Sequence, residues 1–110
     1  MAEKIKFQSI IDELKEKTAG FDASNYHDFL AIQVTLKDLK KVLYIEVKNG
    51  NLAIEPYEYN DRNANITMTA ANFVKLINGK LNKELAFATG KLKIDGDIGK
   101  AAELSKLFGR

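Results

Sequence analysis

Apolar residues repeat with a helical period at the start of the chain, with a period of two through its middle, and with a helical period again near its end. Phe7, Ile10, Ile11 and Leu14 fall at i, i+3, i+4 and i+7, the stripe of an amphipathic helix. Glu3, Asp12, Glu13, Glu16 and Lys17 occupy the other faces and Gly20 supplies a stop, so the spacing predicts a helix over about residues 3–17. Leu30, Ile32, Val34 and Leu36 then alternate with Ala31, Gln33, Thr35 and Lys37, and Leu43, Ile45 and Val47 alternate with Tyr44, Glu46 and Lys48. Such alternation sets one face of each strand in a core and the other toward water.

Asn49-Gly50 separates the second strand from Leu52-Ala53-Ile54. Both residues tolerate the positive φ of a type I′ turn, so the pair predicts a tight hairpin. Pro56, the only proline, has no N–H to give a ladder and suits a strand end or edge. Ala64, Ile66 and Met68 supply a fourth strand after the polar turn Asn60-Asp61-Arg62-Asn63. Helical spacing returns at Phe73, Leu76 and Ile77, with Thr69 as N-cap and Gly79 as the stop. Lys83 to Ala88 forms one short helical turn before Gly90, and Lys91 to Asp95 alternates as a fifth strand. Asp97 caps a final helix through Phe108, its carboxylate accepting the free N–H groups of the first turn. Strands grouped mainly in the middle, with helices at both ends, predict an α+β fold in which a largely antiparallel sheet is covered by helices on one face.

Composition narrows the function more than the fold. The 110 residues suit one domain spanning 1–110, and a hydrophobic fraction of 45% is enough for one core. Lys and Arg total 17 against 15 Asp and Glu, a net charge of only +2, and no stretch interleaves clustered cations with aromatics, so nucleic acid is not an expected partner. The absence of Cys removes disulfides, thiolate metal sites and a Cys nucleophile. Charges interrupt every apolar run from Lys4 to Lys17, and no run approaches the roughly 20 apolar residues of a membrane span. The expectation is a soluble cytoplasmic protein.

Candidate chemistry is thin. The only histidine, His27, adjoins Asp28, but neighbours on a strand point to opposite faces and no second His or Cys completes a ligand set. The pair reads as surface residues at the start of a strand. Ser9, Ser24 and Ser105 lack a nucleophile-elbow context, and Ser105, in the last helix, reads as packing or bonding to backbone. Gly79-Lys80 and Gly90-Lys91 lack the earlier glycine of a phosphate loop, with Val74 and Leu85 in its place. Gly96-Asp97-Ile98-Gly99 has the spacing of a nucleic-acid clamp, but Asp95 and Asp97 would repel phosphate, so it reads as an exposed turn into a helix. No catalytic residue, metal or cofactor is expected.

The last helix carries a different signal. Ile98, Ala101, Ala102, Ser105 and Phe108 share one side with Leu104 beside them, while Lys100, Glu103 and Lys106 lie opposite. Small residues recur at Ala70, Ala71, Ala86, Ala88 and Thr89. This pattern fits close packing of helix on sheet first, and also fits room left for an apolar ligand. Leu107 falls among the charged residues, where it either frays or marks contact with a partner or membrane surface.

The run ELAFATGKLKIDGDIGKAAELSKLF (residues 84–108) resembles the C-terminal signature of the sterol carrier protein 2 lipid-binding domain. The matching positions are Ala86-Phe87, Gly90-Lys91-Leu92-Lys93-Ile94, Gly96, Gly99, Ala101, Leu104 and Leu107, with Phe73 and Gly79-Lys80-Leu81 upstream in ITMTAANFVKLINGKL (66–81). Lys83 stands where that family often has proline, and Ile98 where methionine is frequent. The chain ends Phe108-Gly109-Arg110 without the peroxisomal Ser-Lys-Leu terminus, and the internal Ser105-Lys106-Leu107 is unreadable as an address, so the expectation is a stand-alone prokaryotic protein.

The resemblance implies a five-stranded, mainly antiparallel sheet with helices covering one face and an apolar tunnel between the layers. It implies binding of a fatty acid, acyl-CoA, phospholipid or sterol-like lipid, without catalysis or cofactor. On that reading Ile32, Val34, Leu43, Ile45 and Ile66 line the tunnel from the sheet, and Phe73, Ile77, Leu81, Phe87, Ile98, Ala101, Leu104 and Phe108 from the helices. Lys91, Lys93 and Lys100 either attract an anionic head group or are merely solvated, and release requires the terminal helix, ending in Gly109, to move. The expected partner is a lipid-like small molecule, with transient membrane-surface contact and a monomer or weak dimer. The alternative is a protein-interaction or accessory module of the same fold with a filled core, using Tyr44, Tyr57 and Tyr59 as a sheet-surface contact.

Overall fold

Five strands form one sheet in the order β3-β2-β1-β4-β5. The structure is a computed structural model describing residues 6–26 and 29–108. His27 and Asp28, the predicted first residues of the opening helix, the side chain of Ser105 and Gly109 lie outside the described residues. Helix α1 (Phe7–Lys17) leads through a 3₁₀ turn (Ala23–Asn25) into β1 (Leu30–Leu36), β2 (Lys41–Lys48), β3 (Asn51–Glu55) and β4 (Ala64–Met68). Helices α2 (Ala70–Ile77) and α3 (Lys83–Ala88) follow, then β5 (Lys93–Gly96) and α4 (Ile98–Leu107).

The register shows how alternation becomes a layer. Ile32 pairs with Ile45, which pairs with Ile54, and Val34 pairs with Leu43 and with Ile66, which pairs with Ile94. These residues share one face of the sheet, and the helices cover it. The β2–β3 hairpin turns on Asn49 and Gly50, at φ 52 and 78, as an Asn-Gly type I′ turn requires. Most pairings are antiparallel, but β1 and β4 run parallel. The connection from β3 to β4, residues 56–63, therefore has to cross from one edge of the sheet to the far side of β1.

That crossing explains a departure from simple alternation. Gln33, expected to face water, is buried, because Tyr59 of the crossing segment donates its backbone N–H to the Gln33 Oε1 at 3.0 Å. Gln33 Nε2 in turn donates to Asn65 Oδ1 at 2.9 Å, which also accepts from Thr35 Oγ1 at 2.9 Å. Tyr44 and Tyr59, expected to be exposed, are half-buried and meet edge-on with ring centroids 5.0 Å apart, while Tyr57 is exposed.

Local caps set the helices. The Thr69 Oγ1 accepts from Asn72 N–H at 3.3 Å, and the Asp38 carboxylate accepts from Ala70 N–H at 2.9 Å, so two side chains serve the start of α2. Asn78 Nδ2 donates to Glu13 at 2.6 Å and ties α2 to α1. Ile10, Ile11 and Leu14 of α1 join Phe73 and Ile77 of α2 in the core over the sheet.

Candidate functional site

The last third of the chain extends this core and adds a cavity at its border. The Asn82 Oδ1 caps α3, accepting from Leu85 N–H at 3.0 Å. After α3, Lys91 and Leu92 both donate their N–H groups to the Ala86 carbonyl, at 2.9 and 3.0 Å. This fold-back buries Leu92 and delays β5 to Lys93, so the strand expected over 91–95 is instead Lys93–Gly96. Asp95 pairs with Asn65 as the strand pattern predicts, and Gly96, expected in an exposed turn, extends the strand and pairs with Ala64. The Asp97 carboxylate accepts from Lys100 N–H at 3.0 Å, the predicted cap of α4. Asp97 N–H donates to the Asn63 carbonyl at 2.9 Å, which fixes the start of α4 against the start of β4.

Helix α4 buries Ala101, Leu104, Leu107 and, just beyond its end, Phe108. Leu107 is only 1% exposed, so it neither frays nor offers a contact surface. Ile98, placed by the helical wheel on the inward face, is 54% exposed. The inward stripe is thus rotated toward Leu104 and Leu107, and Ile98 and Ala102 are left at its border. The Tyr26 hydroxyl donates to Glu103, attaching α4 to the segment before β1.

Between α3, α4 and the inner face of β4 and β5 lies a cavity of about 300 Å³. Buried Ile66, Leu92, Ala101, Leu104 and Phe108 form its deep wall, with half-buried Leu76 and Ile94 beside them. Exposed Lys83, Glu84 and Phe87 of α3 face exposed Ile98 and Ala102 of α4 across the mouth. The space exists because Ala101 and Ala102 are small where α4 passes α3, and because α3 gives only Ala86 to the core. Among the described residues every buried side-chain nitrogen or oxygen has a hydrogen-bond partner, so the deep wall reads its contents by apolar contact.

Of the residues expected to line a tunnel, Ile66, Phe87, Ile98, Ala101, Leu104 and Phe108 border this cavity. Ile32, Val34, Leu43, Ile45, Phe73 and Ile77 are fully buried in the core and do not border the cavity, and Leu81 packs against that core. Leu76, Leu92, Ile94 and Ala102 line the cavity without having been singled out as lining. Alternation with Lys93 and Asp95 marks Ile94 as inward, but nothing local marks Leu92, whose position depends on the fold-back to Ala86. Among the described residues Lys83 lines the cavity, whereas Lys91, Lys93 and Lys100 do not.

A second depression of about 430 Å³ is more open and polar, lined by Asn60, Arg62, Asn63, Asn65 and Asp95. Asn63 and Asn65 already spend their side chains on Ala31 N–H and on Gln33 and Thr35. The shifted titrations also lie on the outer sheet face. The bond Tyr59 donates to Glu46, with burial second, pushes its phenol up to about 12, and burial followed by Glu55 and Glu46 raises that of Tyr44. Among the described residues no group of three or more His, Cys, Asp or Glu is placed to hold a metal, and no helix is long and apolar enough to cross a membrane.

Comparison with known proteins places this geometry. The profile of the SCP-2 sterol transfer family matches residues 7–109. Sterol carrier protein 2 of Homo sapiens is 40% identical over 63 residues, 57% of this chain but 12% of that protein, so the chain spans only a small part of such relatives. The apo structure of sterol carrier protein 2 from Yarrowia lipolytica superposes with a TM-score of 0.68 at 22% identity, covering 98% of this chain and 95% of that one. The solution structure of palmitated SCP2L2 from Aedes aegypti gives a TM-score of 0.70 at 18% identity, covering 96% of each chain. At those identities the likeness is one of fold.

Proposed function

Because the chain belongs to the SCP-2 sterol transfer family, we propose that it binds and carries a hydrophobic small molecule in the cavity between α3 and α4, without catalysing a reaction. The observation that carries this reading is the apolar deep wall of Ile66, Leu92, Ala101, Leu104 and Phe108 around about 300 Å³ of space. Ligand pockets commonly run roughly 300–1,000 Å³. This one is at the small end, so a full-length lipid requires α3 or α4 to move outward.

Each buried methylene contributes about 0.8 kcal/mol, so a long acyl chain gains on the order of 10 kcal/mol before losses of freedom and polar desolvation offset much of it. Selectivity is low, because an extra methylene discriminates by only about 1–3 kcal/mol. A fatty acid, acyl-CoA, phospholipid or sterol-like lipid all satisfy the deep wall, with Lys83 at the mouth suited to an anionic head group. That the Aedes aegypti relative is described in a palmitated form supports the acyl-chain end of this range. We place the protein in the cytoplasm, acting over residues 1–110 as one carrier domain.

The test is displacement of a fluorescent fatty acid, with Ala102→Phe as the blocking variant. Ala102 is exposed at the mouth, so a phenyl ring there narrows the entrance without disturbing the core. Affinity should fall about tenfold or more, the loss expected when about two methylenes are excluded. Wild-type protein that releases no lipid on extraction and binds no fatty acid would overturn the reading.

A further inference from the structure

We infer that Asn49 is a site of spontaneous backbone modification, losing its side-chain amide by ring closure with Gly50, and that tertiary contacts protect the chain's other Asn-Gly pair, Asn78-Gly79. Glycine, with no Cβ, leaves its backbone nitrogen least crowded for this attack. In the step, the Gly50 nitrogen gives its proton to hydroxide and attacks the Asn49 Cγ. An N–Cγ bond forms, the Cγ–Nδ2 bond breaks, and the leaving nitrogen takes a proton from water and departs as ammonia. Water then opens the five-membered imide at either carbonyl. One opening yields aspartate, and the other yields isoaspartate, in which the side-chain methylene has entered the main chain. Overall, one amide and one water become one carboxylate and one ammonium ion.

Both pairs carry this chemistry, and their surroundings decide which reacts. Asn49 is exposed at the tip of the β2–β3 hairpin, where the edge strand β3 begins and local opening costs little. Its carbonyl accepts from Asn51 Nδ2 at 3.4 Å, and the exposed Lys48 adjoins it. Both favour the negative charge that the Gly50 nitrogen shares with that carbonyl once its proton is gone. Asn78, by contrast, is half-buried, and its Nδ2 donates to Glu13 at 2.6 Å and to the Val74 carbonyl at 2.8 Å. The nucleophile there, the Gly79 N–H, donates to the Leu76 carbonyl at 3.1 Å. All of these bonds must break before that ring can close. At Asn49 an isoaspartate lengthens a two-residue turn by one main-chain atom, which disturbs the pairing of Lys48 with Asn51 and, beyond it, of Leu52 with Val47 and Ile54 with Ile45. The cavity borders β4 and β5 on the other side of β1, so the damage falls on stability rather than on the cavity.

The test is incubation of the folded chain at mildly alkaline pH, followed by trypsin digestion, mass spectrometry and enzymatic methyl labelling of isoaspartate. Cleavage after Lys48, Arg62, Lys75 and Lys80 places the two pairs on separate peptides, and a sample digested at time zero sets the background. Asn49 should convert at least about tenfold faster than Asn78, because several hydrogen bonds hold the latter. In urea the two rates should become similar, since only the fold separates them. Glu13→Ala should speed conversion of Asn78 about fivefold, whereas Glu13→Gln, whose side-chain oxygen still accepts, should not. Unchanged circular dichroism verifies that both variants are folded. Equal rates in the folded chain would overturn the inference, as would an Asn49 that stays intact when folded but converts in urea. An Asn78 rate unmoved by Glu13→Ala would overturn the protective role of that contact.

Discussion

Gly96 lies so close to Asn63 that a Cβ on the glycine would stand 2.6 Å from the Asn63 carbonyl oxygen and 3.0 Å from the Ala64 Cα. The same carbonyl accepts the Asp97 N–H, and the Asn63 side chain accepts the Ala31 N–H at 2.7 Å. One backbone crossing thus joins β1, β4, β5 and the start of α4, and so sets the position of the helix that roofs the cavity. Gly96 also has φ +102, which side-chain-bearing residues rarely adopt.

Gly96→Ala should therefore lose about 3 kcal/mol of stability, through strained backbone and a contact with backbone atoms that cannot step aside. Urea unfolding measures this. A loss below about 1 kcal/mol would mean that the β4–β5 junction relaxes and that the close approach is not obligatory.

The division between core and cavity predicts opposite phenotypes for two phenylalanines. Phe73 is fully buried in the core, so Phe73→Ala should cost about 3–5 kcal/mol of stability. Phe87 lines the mouth and is half exposed, so Phe87→Ala should change stability by no more than about 0.5 kcal/mol while weakening fatty acid binding. Thermal melts and displacement titrations on the same preparations separate the two effects.

The bond from the Tyr26 hydroxyl to Glu103 holds α4 against the segment before β1. If cargo leaves by outward movement of α4, Tyr26→Phe should speed release about tenfold, since a hydrogen bond to a charged group is worth about 1.5–3 kcal/mol. Stopped-flow dissociation of a fluorescent fatty acid is the measurement. An unchanged rate would assign the exit to α3.

The bond Tyr59 donates to Glu46 raises the folded-state pKa of Tyr59 from 10.0 to about 12. The stability it contributes is fully present below pH 10 and is lost as the pH rises toward 12, because the unfolded chain gives up that proton first. Tyr59→Phe should cost about 1 kcal/mol at neutral pH, a value discounted for partial exposure. The variant should then converge with wild type as the pH rises through that window. Urea midpoints measured from neutral to strongly alkaline pH test this, and parallel curves would remove Glu46 as the cause.

Much of the fold follows from near neighbours in sequence. The period-two runs, the Asn49-Gly50 turn and the Thr69 and Asp97 caps each depend on contacts within a few residues, and each forms where the pattern predicts. Alternation could identify Ile66 and Ile94 as facing inward, because side-chain direction on a strand is local. It could not say whether inward meant a packed neighbour or open space. Ile32 and Val34 have the same pattern as Ile66, yet they are enclosed in the core on all sides, whereas Ile66 borders the gap beneath α3 and α4.

What the sequence by itself determined is therefore the set of elements, their order and their apolar faces, together with a C-terminal signature that is specific to the family. Tertiary structure alone decided the parallel pairing of β1 with β4, the burial of Gln33 beneath the crossing segment and of Leu107 on the inner face of α4, and the approach of Gly96 to Asn63. It also decided which apolar residues surround a void. A cavity is the volume left over when elements distant in the chain fail to fill the space between them, and no local pattern records that remainder.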